Sequence, residues 1–301
     1  MSEQEIQGGI NDTGLKFKPV FFAVVSLGII FFLYQIVGGG ITLYMFGAIP
    51  GADRTLAFRL ITMAAEILFI LVPTVLLTRV QTSSWKSFLR YRKTDWYYIA
   101  LAVIGVVALQ QLLEIYLYLQ SLIPLPSSWQ EIIKPFQQAI DHTYKVLISA
   151  HNPLDFLFVL AVVALTPAIC EESLFRGLVQ GNFENAMTKK KAIVWTGLVF
   201  GAYHLDPFSF VALGALGIYL SYLASSSGSI LVPMAAHFTN NFLSALVYYL
   251  WQKDSIVAPS GEKGVNVAYI IVWSVALGLI FAMTVYLTSN HNKVTPEANE
   301  T

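Results

Sequence analysis

The fold is decided by residues 154–180, which read LDFLFVLAVVALTPAICEESLFRGLVQ. A membrane-spanning helix needs about 20 mainly apolar residues, and this stretch is long enough. Within lipid the backbone groups must be satisfied inside the segment, so such a run is expected to be helical. It nevertheless contains Glu171, Glu172 and Arg176, although insertion scales put the cost of a central charge at about 2.5 to 3.5 kcal/mol. The stretch therefore predicts a membrane helix with a polar centre.

The composition of the whole chain agrees with a membrane fold. Charged residues make up only 12% of the 301 residues, and the mean hydropathy is +0.63. The 18 basic and 18 acidic side chains cancel, so there is no basic surplus to bind a nucleic acid. Cys170 is the single cysteine, which excludes an internal disulfide and a cysteine-rich metal site.

Eight apolar runs predict an all-α, multi-pass transmembrane bundle of about eight spans. They lie at residues 19–46, 56–79, 96–122, 154–180, 191–205, 208–225, 229–251 and 267–288. The fifth and sixth are short and are separated by Asp206 and Pro207, which predicts a tight turn between two helices. A count of seven spans stays open. Apolar residues at helical intervals in the loop after the third run predict an amphipathic helix on the membrane surface.

These spans define one membrane domain over residues 16–289, with its motif-bearing core at 154–250. The polar ends, 1–15 and 290–301, are expected to be disordered. Cytoplasmic loops carry the excess of lysine and arginine, and the larger share falls on the side that holds both ends. The sequence therefore predicts a cell-membrane protein with both termini in the cytoplasm.

The ionisable residues of the fourth span divide into a pair and a free carboxylate. Glu172 and Arg176 are four residues apart with the acid first, the favourable order for a helical ion pair. Glu171 is rotated by about 100° from Glu172 and need not share that partner. We therefore expect Glu172 and Arg176 to be supporting residues and Glu171 to be available for chemistry.

Two further spans carry polar residues at a similar depth. His204 ends the fifth run, and His237 and Asn241 project from one face of the seventh because they are one turn apart. At about 1.5 Å per residue, these side chains and Glu171 lie roughly 12 to 20 Å from the cytoplasmic ends of their helices. One carboxylate, two imidazoles and one carboxamide in one layer form a hydrolytic constellation.

Each element of this layer also has a structural interpretation. Glu172 and Arg176 could be a structural pair, and a single membrane histidine usually bonds a neighbouring helix. A proton-coupled transporter could use the same residues as a relay, although no internal repeat is visible. Cys170 suggests a thiol nucleophile, but a buried thiol without a nearby cation or helix N-terminus is a poor one.

The motifs of these spans resemble those of a known family. They are E-E-x-x-x-R at Glu171, Glu172 and Arg176, F-x-x-x-H at Phe200 and His204, and H-x-x-x-N at His237 and Asn241. In this order and on separate spans, they resemble the CPBP family of intramembrane proteases, also called the Abi family. That family includes CAAX prenyl endopeptidases of the Ras-converting-enzyme type and relatives tied to bacteriocin processing and immunity.

The resemblance implies a hydrolase, a CAAX-type intramembrane peptidase that acts on a hydrophobic or lipid-modified peptide among membrane lipids. It assigns Glu171, aided by His204, to the activation of a water, and His237 with Asn241 to stabilisation of the oxyanion. The residue chemistry agrees independently. A carboxylate in a low-dielectric chamber is a better base, and a positioned amide and imidazole can stabilise an oxyanion by several kcal/mol.

Two alternatives stay open at this point. The family has also been described as metal-dependent, and Glu171, His204 and His237 could supply three ligands of a divalent metal such as zinc. The sequence lacks the H-E-x-x-H helix of common zinc proteases, so glutamate catalysis with no certain cofactor is favoured. The other alternative is non-enzymatic: a bacteriocin immunity protein or a membrane scaffold that binds a peptide at the polar layer.

Overall fold

The computed structural model describes residues 14–47, 50–124, 126–252 and 267–294. Within these ranges the ordered elements are all helices, which confirms the predicted all-α class. The predicted polar ends fall mainly on residues 1–13 and 295–301, which lie outside the described ranges. The last helix reaches Val294, so residues 290–294 are helical rather than part of a disordered tail.

The described residues form a bundle of helices. They are α1 (Pro19–Phe46), α2 (Thr55–Gln81), α3 (Trp96–Ser121), α4 (Ser127–Ile148), α5 (Pro153–Glu184), α6 (Lys189–Tyr203), α7 (Phe210–Ser227), α8 (Leu231–Gln252) and α9 (Val267–Val294). Short helical turns precede α2 at Ala52–Arg54 and α3 at Trp85–Phe88. Each of the eight predicted apolar runs therefore forms a helix.

The predicted number of spans is nevertheless too high. Six helices of the described ranges are long and apolar enough to cross a membrane, namely α1, α2, α3, α5, α7 and α9. With 15 residues, α6 reaches about 22 Å, which is less than the roughly 30 Å of the hydrocarbon core. Helix α8 is long enough but has His237, Asn240 and Asn241 at its centre, which lower its hydropathy. The span count is about six rather than eight.

The predicted amphipathic helix is α4, and a buried arginine fastens it to the motif-bearing helix. Pro135 lies inside α4 and does not end it. Arg59 of α2 donates from Nε to the carbonyl of Leu147 at 2.8 Å and from Nη1 to Asp155 Oδ1 at 2.7 Å. Its Nη2 donates to the carbonyl of Ser149. The end of α4 and the start of α5 are thereby held against α2.

Helices α6 and α7 approach each other closely through glycines. A Cβ added to Gly217 would lie 2.7 Å from the carbonyl oxygen of Gly197, so a side chain at that position requires the helices to separate. Gly201 is similarly tight, because a Cβ there would lie 2.9 Å from the amide nitrogen of Gly214. This packing fixes the end of α6, which is followed directly by His204.

The main core surrounds the second half of α5. Leu174, Phe175, Leu178 and Val179 are fully buried there, against Phe200 and other residues of α1, α2 and α6. The rings of Phe175 and Phe200 pack edge to face, with centroids 5.1 Å apart. Because α5 is buried on all sides in this region, its polar side chains face protein rather than lipid.

Candidate active site

The predicted ion pair of α5 is present and completely buried. Arg176 Nη1 donates to Glu172 Oε1 at 2.8 Å, and both side chains have 0% exposure. Arg176 Nη2 also donates to the carbonyl of Gly217 at 3.2 Å, which ties α5 to α7. A buried charge is tolerated only when it is paired and hydrogen-bonded. Glu172 and Arg176 pair with each other in this way, while Glu172 Oε2 and Arg176 Nε have no hydrogen-bond partner among the described residues.

His237 joins this pair from α8, a contact that sequence spacing did not reveal. Its Nδ1 lies 2.8 Å from Glu172 Oε1, the same oxygen that accepts from Arg176. A carboxylate oxygen accepts, so the Nδ1 of His237 carries the hydrogen. Nε2 of the same ring is then left for another partner, and only 4% of the residue is exposed.

Glu171 and His204 form a second, more accessible pair. Glu171 Oε2 lies 3.8 Å from His204 Nε2, and their side chains are 16% and 29% exposed. The Oε2 atom is buried and has no hydrogen-bond partner among the described residues. His204 Nδ1 lies 2.8 Å from the carbonyl oxygen of Phe200, so Nδ1 carries the hydrogen. In the neutral ring, Nε2 is therefore an acceptor that faces another acceptor.

Phe200 explains why an aromatic residue stands four positions before this histidine. Its ring packs edge to face on His204 at a centroid distance of 4.6 Å and on His237 at 6.1 Å. The guanidinium carbon of Arg176 lies 4.5 Å from the centre of the same ring, within range of a cation–π interaction. One buried phenyl ring thus contacts both histidines and the arginine and sets their separation.

Asn241 contacts the backbone of α5 where a proline removes a hydrogen-bond donor. Pro167 has no amide hydrogen and cannot donate to the carbonyl of Val163, four residues earlier. Asn241 Nδ2 donates to that carbonyl oxygen at 2.9 Å, while Asn240 Nδ2 donates to Asn241 Oδ1 at 3.1 Å. A carboxamide has two N–H groups, so one remains for a further acceptor.

Replacing Asn241 with alanine is therefore expected to cost about 1 to 3 kcal/mol of unfolding free energy, because the Val163 carbonyl loses a donor. Adding Pro167→Ala, which restores an amide hydrogen at position 167, should recover part of that loss. Unfolding in detergent micelles measures both variants and the double variant. If Pro167→Ala changes the unfolding free energy by the same amount with and without Asn241, then Asn241 does not stabilise the protein through the Val163 carbonyl.

A loop residue supports α5 beside Glu172. The hydroxyl of Tyr91, which precedes α3, lies 2.6 Å from Ser173 Oγ, and Ser173 Oγ donates to the carbonyl of Ile169 at 2.6 Å. Since Ser173 uses its hydrogen there, Tyr91 is the donor in the first contact. Burial raises the pKa of Tyr91 although the Ser173 contact opposes it, so the phenol keeps this hydrogen at neutral pH.

Several residues near Glu171 were not identified as site residues from sequence. Glu66 of α2 and Tyr203 of α6 both lie within electrostatic range of Glu171. Glu66 is only 6% exposed, and neither its Oε2 atom nor the Tyr203 hydroxyl has a hydrogen-bond partner among the described residues. Tyr34 of α1 is also within range of both carboxylates. Buried polar atoms that are left unpaired indicate a place for a polar ligand or water.

The residues do not assemble the predicted metal ligand set. Across the described ranges, no three His, Cys, Asp or Glu side chains are grouped closely enough to hold a metal ion. Glu171 faces His204, whereas His237 is bonded to Glu172. A three-ligand site needs donors that converge on one point. His237 could contribute only Nε2 to such a site, because its Nδ1 is bonded to Glu172.

Comparison with known proteins bears on the part of the chain that carries this geometry. Residues 153–243 match the family described as type II CAAX prenyl endopeptidase Rce1-like. The match runs from the start of α5 into α8 and includes each of the three motifs. No curated protein and no solved structure gives a significant match to the chain. The resemblance inferred from the motifs is thus confirmed for these residues, which make up less than half of the chain.

Proposed function

We propose that this membrane protein is an intramembrane endopeptidase that uses a glutamate-activated water, and the match of residues 153–243 to the Rce1-like CAAX proteases supports this proposal. The substrate is a hydrophobic or lipid-modified peptide that reaches the site from the membrane. The observation that carries the proposal is the facing pair of Glu171 and His204, 3.8 Å apart and partly exposed, beside a fully buried charge network.

The pair is suited to bind and deprotonate one water molecule. Glu171 Oε2 and the neutral His204 Nε2 are both acceptors, and a water placed beside them can donate one hydrogen to each. Hydrogen bonds of about 2.8 Å from one oxygen reach two atoms at this separation. Glu171 accepts the water proton while the oxygen attacks the carbonyl carbon of the scissile bond. Charge then develops on the carbonyl oxygen.

Donors on α8 are available to stabilise that oxyanion. Asn241 retains one N–H after its bond to Val163. His237 can donate from Nε2 when its ring carries both hydrogens, and its Nδ1 is held at 2.8 Å by Glu172 Oε1. Such donors lower the barrier when they are held in place before the reaction. The Glu172–Arg176 pair holds His237 in this orientation and does not itself contact the substrate.

The cycle closes with the return of the proton. When the tetrahedral intermediate collapses, the carbon–nitrogen bond breaks and protonated Glu171 gives its proton to the leaving nitrogen. The products are a carboxylic acid and an amine, and Glu171 is again a carboxylate. One residue acts as base and then as acid, so no second proton donor is needed.

The uneven distribution of lysine and arginine supports a cytoplasmic location for both termini.

A cleavage assay on purified full-length protein tests the proposal. We expect the protein in detergent micelles or proteoliposomes to hydrolyse a farnesylated peptide or an unmodified hydrophobic peptide, with both products identified by mass spectrometry. Comparing the two peptides shows whether the lipid group is required. Binding of these peptides without cleavage would contradict a peptidase and favour the scaffold or immunity alternative. Adding a chelator tests for metal dependence in the same assay.

A further inference from the structure

A second feature of the structure is a cavity of about 390 Å³ between α1, α2 and α4. Tyr34, Gln35 and Thr42 of α1 line one side of it, Thr62 of α2 lines another, and Thr143 of α4 faces them. The lining contains no charged residue. The cavity is thus uncharged, with polar side chains among apolar ones, although α1 and α2 are long apolar membrane helices.

Several polar atoms of the cavity are available as acceptors. Thr42 and Thr62 each use their hydroxyl hydrogen on their own helix, donating to the carbonyls of Gly38 and Phe58 at 2.9 Å. Gln35 Nε2 donates to the carbonyl of Tyr203 at 3.2 Å. The hydroxyl oxygens and the Gln35 carbonyl oxygen remain for an occupant that brings N–H groups.

The cavity adjoins the catalytic pair. Gln35 bonds the carbonyl of Tyr203, the residue immediately before His204. Tyr34 lies within electrostatic range of Glu171. Glu66, whose buried Oε2 has no hydrogen-bond partner among the described residues, directly follows the lining residue Ala65. Residues of the cavity lining therefore also adjoin the surroundings of Glu171 and His204.

We propose that this cavity is a subsite for the uncharged peptide segment on one side of the scissile bond. An extended peptide carries N–H and C=O groups that must find partners inside a membrane, and the cavity supplies acceptors in a neutral surrounding. A hydrocarbon chain does not use such groups, and an ionic headgroup requires an opposite charge. The inference rests on the proposed peptidase function and specifies which part of the substrate binds between α1, α2 and α4.

Two adjacent glycines of α1 provide a test and its matched control. Gly39 lines the cavity, and a Cβ added to it meets no atom within 4 Å, so a larger side chain occupies open space. Gly40 is equally unobstructed but does not line the cavity. Both lie in the same helix, so Gly→Leu has the same effect on helix propensity at each. The variants Gly39→Leu and Gly40→Leu therefore differ mainly in cavity volume.

The measurement is kcat/KM for peptides that differ in the size of one residue, varied in turn on either side of the scissile bond. For the residue on one of the two sides of the scissile bond, Gly39→Leu should lower kcat/KM. Peptides with a large residue at that position should be cleaved about 10- to 100-fold less efficiently than peptides with glycine there, because a filled pocket discriminates by volume. Gly40→Leu should show no such discrimination. Thr143→Trp, which fills the cavity from α4, should reproduce the effect of Gly39→Leu.

Equal size profiles for Gly39→Leu, Gly40→Leu and the unmodified protein would overturn the subsite. Thermal unfolding of each variant confirms that any lost activity is not lost fold. Failure of the subsite can also be distinguished from failure of the proposed peptidase function. If Glu171→Gln retains full activity, the proposed mechanism fails, whereas unchanged size profiles in a protein that still needs Glu171 refute only the subsite.

Discussion

Glu171→Gln is expected to lower kcat for peptide hydrolysis by about a thousandfold or more, with little change in stability. The amide keeps the shape of the side chain but cannot accept the proton of the attacking water, and general-base catalysis typically contributes about 10²- to 10⁴-fold. Loss of the later proton return to the amine adds to the effect. The rate of product formation under saturating peptide, in detergent micelles, measures the change.

A second glutamate provides the matched control. Glu114 lies in α3 beside Tyr118 and Trp273, in a groove between α3 and α9 whose lining includes no residue of the three motifs. Glu114→Gln makes the same chemical change to another carboxyl within a membrane helix, and we expect its kcat to stay within about threefold of the unmodified protein. A Glu171→Gln enzyme that retains more than a tenth of the original kcat would falsify the assignment of Glu171 as the base.

His204→Ala should produce a smaller loss than Glu171→Gln, because the carboxylate remains able to take the proton. The double variant should be no slower than Glu171→Gln alone, since residues that act on one water are not additive. This comparison shows whether Glu171 and His204 form one functional unit, as their 3.8 Å separation suggests.

Local spacing within one helix could be predicted from the sequence. Glu172 and Arg176 are one turn apart, so their ion pair follows from helical geometry alone. The apolar runs likewise predicted where helices form, because their lengths and composition depend only on the segment itself. Which of these helices cross the membrane was less predictable. Helix α6 is apolar but short, and its position depends on the glycine contacts with α7.

Contacts between helices could not be derived in the same way. His237 and Glu172 are 65 residues apart, and their 2.8 Å contact depends on how α8 packs against α5. Sequence reasoning assigned His237 to the oxyanion site with Asn241, with a metal site of Glu171, His204 and His237 as an open alternative, and it gave no sign of the contact with Glu172. Tyr34 and Gln35 gave no signal, because they occur in an apolar helix without a motif. Their place beside the candidate site appears only once α1 packs against the end of α6.

Arg176→Ala is expected to have the largest effect on stability, about 3 to 5 kcal/mol, because it leaves Glu172 charged inside a fully buried site. The Gly217 carbonyl also loses its donor, and the Phe200 ring loses its cation. Unfolding free energy in detergent micelles is the appropriate measurement. The matched control is Arg79→Ala, since Arg79 is exposed at the end of α2 and stacks on Trp85. Its loss should be about 1 kcal/mol or less.

A double-mutant cycle then separates the cost of an unpaired charge from the value of the pair. Arg176→Met combined with Glu172→Gln removes both charges while keeping side chains of similar length, so it should be less destabilising than Arg176→Met alone. Activity should not recover with stability, because the amide introduced by Glu172→Gln no longer fixes the His237 ring through a carboxylate that only accepts hydrogen bonds. A double variant that is as unstable as Arg176→Met would show that packing, rather than a buried unpaired carboxylate, determines the loss. Recovery of full activity would remove His237 from the oxyanion site and leave Asn241 as its donor on α8.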